Sequence, residues 1–256
     1  MNSLINHKLK AICIQIPKNA SSYLKELLCN HYGFESIEIS RNDFYYFCEN
    51  KNTNLDCFYK DSHNEPSVQV HYLRAKGIVR YYETMFDNEK LINKPIKPTY
   101  INKEIWQSYY KFSFTRNPKS RFISSYNFFK QNKKKYKSFI FKSIEDLINI
   151  YNNNPELISD LIFSHTFITQ YDHLVSNNYY INLDYIGKIE TIEIDLQNIF
   201  KILNIEVKDI EVNDIIYKNE TIKNNFDNIL LTKNVLDFIN NYFKKDFKTF
   251  GYSIEL

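Results

Sequence analysis

A lysine and two serines follow an apolar run near the start of the chain. Residues 11–16 are almost wholly apolar and end before Pro17, and Lys18, Ser21 and Ser22 come soon after. If the run is a strand and a helix begins at the serines, the N–H groups at the helix start form a cradle for an anion, aided by the helix dipole. The lysine ammonium and the two hydroxyls add further hydrogen-bond donors. These residue types therefore indicate a site for phosphate, sulfate or a related group.

A second segment repeats the arrangement with an arginine. Residues 111–115 read as a buried strand, Arg116 follows directly, and a helix is predicted over 119–130. A guanidinium at the end of a strand can bind a phosphate through two parallel hydrogen bonds. Ser124 lies on the second turn of that helix and can face the same anion. Two such sites in one domain predict a ligand with two separated anionic groups.

Length and charge narrow the class of protein. The chain has 256 residues, 43% of them hydrophobic and 25% charged, which predicts a single globular domain over residues 1–256. A formal net charge of +3 gives no case for a nucleic-acid partner. No apolar stretch is long enough to span a membrane. Because residues 1–10 lack the apolar core of a signal peptide, we expect a cytoplasmic protein.

The cysteines do not form a metal-binding pattern. Cys13, Cys29, Cys48 and Cys57 include no CxxC pair, and no histidine cluster accompanies them. A zinc site is therefore not predicted. Cys13 lies inside the first apolar run, where it is expected to be a small core residue.

Strands and helices alternate along the chain, which predicts an α/β fold. The expected architecture is a parallel sheet with helices on both faces, with ligands binding beyond the carboxyl ends of the strands. Ser21 or Ser22 is expected to cap the first helix. Residues 33–66 read as an irregular insertion over the sheet that is expected to help shape a substrate cleft. Further strands are predicted at 67–72 and 184–189, and further helices at 78–91, 104–109, 144–151, 157–169, 191–203 and 232–243.

The first loop is not an ordinary nucleotide-triphosphate loop. The pattern GxxxxGK[ST] is absent, and no glycine stands between Pro17 and Ser22. A kinase or another nucleotide-hydrolysing enzyme of related fold is the weaker alternative for this reason. A simpler interpretation of the first loop alone is that the serines cap a helix and Lys18 is solvated.

The two segments together resemble the sulfotransferases that use 3′-phosphoadenosine 5′-phosphosulfate (PAPS). The first segment is similar to the family's Pro-Lys-x-x-Ser/Thr loop, and residues 116–126 are similar to its Arg-x-Pro-x-x-Arg-x-x-Ser-x-Tyr segment. Further similarity lies at 165–170, 184–190 and 246–252. The resemblance favours the carbohydrate branch, which includes heparan sulfate 2-O- and chondroitin-type enzymes and bacterial relatives. It implies the P-loop-NTPase-like sulfotransferase fold, whose three layers are a parallel sheet and the helices on its two faces.

The resemblance also implies which residues bind the donor. Arg116 and Ser124 correspond to the pair that holds the 3′-phosphate, while Arg121 and Tyr126 match the same segment. Gly187 can allow close approach to the nucleotide, and Asn219 stands where a loop of the family closes over it. The 5′-phosphosulfate is expected to lie against Pro17, Lys18, Asn19, Ala20, Ser21, Ser22 and Tyr23.

The implied reaction is in-line transfer of a sulfuryl group to an acceptor hydroxyl, with 3′,5′-adenosine bisphosphate as product and no metal required. Lys18 is expected to stabilise the charge that develops on the leaving phosphate. His71 is the predicted general base, because it ends a predicted strand at the ligand edge and a neutral histidine suits proton transfer near pH 7. A structural role for His71 is the alternative.

The acceptor is expected to be a glycan or another hydroxyl-bearing molecule. A non-catalytic nucleotide- or glycan-binding module is the third possible function, and the joint presence of Lys18 and His71 argues against it.

Overall fold

The computed structural model describes residues 2–38, 103–132, 141–176, 179–180, 183–206 and 231–254. Several predictions concern residues outside these ranges. They are the strand at 67–72 with His71, the helix at 78–91, Asn219, and the part of the 33–66 segment beyond residue 38.

Two sheets are formed by the described residues. The larger has five strands in the order β3-β1-β2-β4-β7, and the smaller pairs β5 with β6. The strands are β1 (Asn2–Asn6), β2 (Ala11–Ile14), β3 (Glu35–Glu38), β4 (Tyr110–Thr115), β5 (Val175–Ser176), β6 (Tyr179–Tyr180) and β7 (Tyr185–Lys188). The predicted strands at 11–16, 111–115 and 184–189 are confirmed as β2, β4 and β7.

The parallel part of the larger sheet carries both segments of interest. Strand β4 pairs in parallel with β2 on one side and with β7 on the other. The carboxyl ends of these strands therefore meet at one edge, where Gln15, Arg116 and Ile189 begin the connections that follow. This is the edge at which open α/β sheets bind ligands.

The prediction of a wholly parallel sheet was wrong, because the sheet is mixed. Strand β1 runs antiparallel to both β2 and β3. Only a tight turn over residues 7–10 separates β1 from β2, and a connection that short can join antiparallel neighbours but cannot cross over between parallel ones. Residues 35–38, predicted to be irregular, form β3 instead.

Nine α-helices lie in the described ranges, and most follow the predicted boundaries within two residues. The stretch 157–169 is one exception, because it holds only a short helix between the end of a 3₁₀ turn and the residue before the next helix. The helix over 244–250 is another, because the terminal helix was predicted at 232–243 alone. The helices are α1 (Ser21–Tyr32), α2 (Lys103–Ser108), α3 (Pro118–Gln131), α4 (Ile144–Asn153), α5 (Asp160–Thr166), α6 (Gln170–His173), α7 (Ile192–Ile202), α8 (Lys233–Tyr242) and α9 (Lys244–Phe250), with 3₁₀ turns at Pro155–Leu157 and Ile189–Thr191.

Alternating side chains of β1 and β2 enter two different apolar clusters, each with its own helices. Leu4, Ala11 and Cys13 pack with residues of α1 and α7, which confirms Cys13 as a core residue. Ile5, Ile12 and Ile14 pack with residues of α2 and α9. A third cluster joins α3, α4, α5, α8 and α9 beside the sheet. Strand β2, which leads into the first loop, is therefore packed on both faces.

Candidate active site

The turn between β2 and α1 is tight although it contains no glycine. Lys18 and Ala20 both adopt left-handed backbone conformations, with φ of 70° and 54°. Such a conformation costs a residue with a Cβ about 1–2 kcal/mol. Ser21 Oγ donates to the Ile16 carbonyl (2.9 Å) and Asn19 Nδ2 donates to the Phe114 carbonyl (2.8 Å). These bonds hold the turn in its unfavourable conformation.

Helix α1 begins without a side-chain cap, so the prediction that Ser21 or Ser22 caps it was wrong. The N-cap is Ala20, whose side chain has no acceptor. The Ser21 hydroxyl instead points back to Ile16, while the Ser22 side chain is exposed. The first N–H groups of any α-helix have no acceptor within the helix. Here they belong to Ser21, Ser22 and Tyr23, and they suit an anion.

The Lys18 side chain is half-buried and turns toward α3. Its Nζ lies 4.1 Å from the centre of the Phe128 ring, a cation–π contact. Burial lowers the pKa of Lys18 from 10.5 to about 8, and the nearby charges of Arg116 and Arg121 act in the same direction. An ammonium group held among other cations in a partly dry site is well suited to an anionic ligand.

Arg116 directly follows β4 and reaches the first loop. Its Nη1 donates to the Lys18 carbonyl (3.2 Å), so the two segments picked out from the sequence are in direct contact. Burial lowers the pKa of Arg116, and the Glu190 carboxylate and the Tyr252 hydroxyl oppose that shift. The next residue, Asn117, caps α3 by accepting from the N–H groups of Lys119 and Ser120.

Ser124 lies on the face of α3 that meets the first loop. Residues three or four apart share one face of a helix, and Ser124 stands between Arg121 and Phe128. Arg121 bonds to the Pro17 carbonyl, and Phe128 contacts Lys18. The half-buried Ser124 side chain therefore belongs to the same surface.

Gly187 is buried in β7 for a packing reason that the sequence did not show. A Cβ at this position would stand 2.6 Å from the Phe114 ring and 3.1 Å from the Asp195 Cβ. Its carbonyl accepts from Thr115 Oγ1 (3.2 Å). Any side chain here would push β7 away from β4.

Arg121 is a structural centre of the site whose role the sequence did not reveal. Its side chain is 1% exposed, and it donates to three carbonyls, those of Pro17 (3.1 Å), Ile168 (3.0 Å) and His165 (3.3 Å). Burial lowers its pKa to about 10, and the charge of Asp246 opposes the shift. All three nitrogens of the guanidinium thus hold backbone in place.

A second group of polar residues surrounds the start of α3. Glu190 accepts from the Asn117 N–H (2.7 Å) and from the Tyr252 hydroxyl (3.1 Å). That hydroxyl also lies 3.2 Å from Thr115 Oγ1. Glu190 therefore fixes the turn that contains Arg116. Glu190 and Tyr252 lie in segments that resemble the family, so their positions were visible in the sequence although their roles were not.

His165 is the described histidine beside the lysine. Its Nδ1 lies 2.9 Å from the Leu161 carbonyl, which makes Nδ1 the protonated nitrogen of the neutral ring. Burial lowers the pKa of His165 to about 4, and the charge of Lys18 acts in the same direction. Its ring is almost parallel to that of Phe128, at 6.2 Å between centroids. His165 is therefore a neutral wall of the lysine site.

Fold and site together define an α/β protein with a cationic site at the carboxyl ends of three parallel strands. A family model described as the sulfotransferase family matches residues 1–253, and the chain belongs to that family. Membership indicates transfer of a sulfuryl group. No curated protein and no solved structure matched the chain significantly. None of the helices in the described ranges is long and apolar enough to span a membrane.

Proposed function

We propose that this protein transfers a sulfuryl group from PAPS to an acceptor hydroxyl. The observation that carries the proposal is the hydrogen bond from the Arg116 guanidinium to the Lys18 carbonyl, at 3.2 Å. It joins two cationic segments that the sequence keeps far apart. PAPS has anionic groups on both its 5′ and 3′ sides, so a ligand of this kind matches two adjacent cationic positions.

The hydrogen-bond donors of the first loop fit the 5′ side of PAPS. The N–H groups at the start of α1 face outward from the helix, and Lys18 adds a positive charge. Because the Ser21 hydroxyl donates to Ile16, we assign the exposed hydroxyl of Ser22 to the ligand. Pro17, Asn19, Ala20 and Tyr23 contribute through the backbone and shape of the same turn.

The second segment fits the 3′ side. Arg116 supplies a guanidinium whose Nη1 already touches the first loop, and Ser124 lies on the neighbouring face of α3. Arg121 is excluded from this role, because its nitrogens bind carbonyls of the protein. Gly187 and Asn219 are further proposed nucleotide contacts, Asn219 from the sequence alone.

The residues of the chain divide the chemistry among themselves. When bound, PAPS supplies the sulfuryl group and leaves as the bisphosphate. Lys18 stabilises the negative charge on the oxygen that bridges phosphate and sulfate. Arg116 and Ser124 fix the nucleotide and so align the transfer. His71, which lies outside the described residues, accepts the proton of the acceptor hydroxyl.

We propose a glycan as the acceptor, because the sequence resembles the carbohydrate branch of the family.

The whole chain is proposed to be one sulfotransferase domain, since the family match extends over residues 1–253. The two apolar clusters on alternating faces of β1 and β2 support a three-layer arrangement like that of P-loop NTPases. Residues beyond 38 in the 33–66 segment are proposed to shape the acceptor cleft.

A thermal-shift titration tests the donor. We expect 3′,5′-adenosine bisphosphate at 100 times its Kd to raise the Tm by about 5–10 °C, and ATP with Mg²⁺ to raise it much less. The Arg116→Ala variant should respond to the bisphosphate only weakly, because it lacks the 3′-phosphate contact. A larger shift with ATP and Mg²⁺ would contradict the proposal and favour a kinase or nucleotide hydrolase.

A further inference from the structure

The Gln170 side chain lies between the two cationic segments and is completely buried, at 0% exposure. Its Oε1 accepts from Asn19 Nδ2 (2.7 Å) and from the Arg116 N–H (2.8 Å). Its Nε2 donates to the Arg116 carbonyl (2.7 Å). One carboxamide thus binds the middle of the first loop and both backbone groups of Arg116.

These contacts fix the backbone at the two places that carry the cationic side chains of Lys18 and Arg116. Pairing with the N–H and the carbonyl of Arg116 fixes the backbone where the chain leaves β4. Asn19 stands between Lys18 and Ala20, the two residues with left-handed backbone, so the same carboxamide holds the centre of the tight turn. A side chain that neither segment contains therefore helps to fix the distance between them, together with the direct contacts of Arg116 with Lys18 and of Asn19 with Phe114.

The backbone of Gln170 is held in place by the Asp246 carboxylate. Its backbone N–H donates to Asp246 Oδ2 (2.8 Å), and the next N–H, that of Tyr171, donates to Asp246 Oδ1 (2.8 Å). Asp246 is completely buried and belongs to α9. Because both carboxylate oxygens are engaged at the start of α6, the glutamine has a fixed base from which to bridge the two segments.

We propose that Gln170 is a positioning residue that sets the spacing of the two anion-binding segments, so that one ligand can engage both at once. The inference rests on the proposed function, in which that ligand is PAPS or its bisphosphate product. A preset spacing favours a ligand that touches both segments over a ligand that touches only one, because the second contact forms without further ordering of the protein.

The test is the ratio of two affinities, measured by isothermal titration calorimetry. One ligand is 3′,5′-adenosine bisphosphate, which spans both segments, and the other is adenosine 5′-phosphate, which lacks the 3′ group. The Gln170→Met variant keeps the length of the side chain and removes its hydrogen bonds. We expect the preference for the bisphosphate to fall about tenfold in this variant, the size of one or two lost hydrogen bonds. The milder Gln170→Asn variant should change it in the same direction.

Lys111 provides a matched control at the opposite end of β4. Its buried ammonium donates to the carbonyls of Trp106 (3.1 Å) and Tyr109 (2.6 Å), so Lys111→Met also removes buried hydrogen bonds from this strand. We expect it to lower the Tm while keeping the affinity ratio of the unmodified protein. A general loss of stability therefore cannot imitate the effect expected at Gln170.

Two results would overturn the inference while leaving the donor assignment intact. In one, folded Gln170 variants keep the full preference for the bisphosphate. In the other, Lys111→Met reduces the preference as much as they do. If the unmodified protein itself does not prefer the bisphosphate, the proposed function fails, and the inference fails with it.

Discussion

Replacing Lys18 by alanine is expected to reduce the rate of sulfuryl transfer by about 10²- to 10³-fold, the usual effect of removing one electrostatic contact to the transition state. The ammonium lies at the turn before α1, close to Arg116 and Arg121, where the leaving phosphate is proposed to bind. The measurement is transfer of labelled sulfate from PAPS to a panel of saccharides, with turnover compared at saturating donor. Lys25→Ala, which removes an exposed charge from α1, is the control and should retain full activity.

The pH dependence of donor binding provides a second test of the same residue. With a pKa of about 8 in the free protein, Lys18 loses its charge as the pH rises above 8. A bound anion stabilises the charged form and raises this pKa, so affinity for the bisphosphate should fall up to tenfold per pH unit above 8. A Lys18→Arg variant keeps its charge and should bind evenly from pH 7 to about 9.5. An equally steep decline in both proteins would place the titrating group elsewhere.

The sequence was sufficient to predict the parts of the fold whose signals are local. Strand β2 was visible as a short apolar run and β4 as an alternation of aromatic and polar residues, and polar turn residues follow both strands. Strand β1 was missed because only Leu4 and Ile5 give it apolar character, so its structure depends on pairing with β2 across a tight turn. The antiparallel direction of β1, and hence the mixed sheet, could not be inferred from residues 1–10 alone.

The site was predictable in its charges but not in its internal support. Lys18 and Arg116 were identified because basic residues after parallel strands meet at one edge. The roles of Arg121 and Gln170 depend on which carbonyls and N–H groups the folded backbone brings within reach, and no local pattern encodes that. The capping prediction failed for a related reason: the N-cap is the left-handed Ala20, one residue before the serines, and the Ser21 hydroxyl donates to the Ile16 carbonyl in the turn instead.

Replacing Arg121 is expected to have a large effect of another kind, on stability. An Arg121→Met variant keeps most of the side-chain volume but leaves the carbonyls of Pro17, Ile168 and His165 without their donor. It also removes the positive charge that acts on the buried Asp246. Removing a buried charged group from its partners lowers the stability of a protein by about 3–5 kcal/mol. We expect a loss of that size in the free energy of unfolding, measured by urea denaturation.

The two arginines of the second segment should therefore separate binding from folding. Arg116 is half-buried, and its side chain has one hydrogen bond, to the Lys18 carbonyl. Arg116→Ala should therefore lower the free energy of unfolding by less than about 1.5 kcal/mol, while it lowers the affinity for the bisphosphate. Arg121→Lys keeps a charge, but one ammonium cannot reach three carbonyls in different directions. The lysine variant should therefore recover only part of the unfolding free energy that Arg121→Met loses. If Arg116→Ala destabilises the protein as strongly as Arg121→Met, the division between a ligand-binding and a structural arginine is wrong. If Arg121→Met leaves stability unchanged, the three carbonyl contacts do not hold the loop.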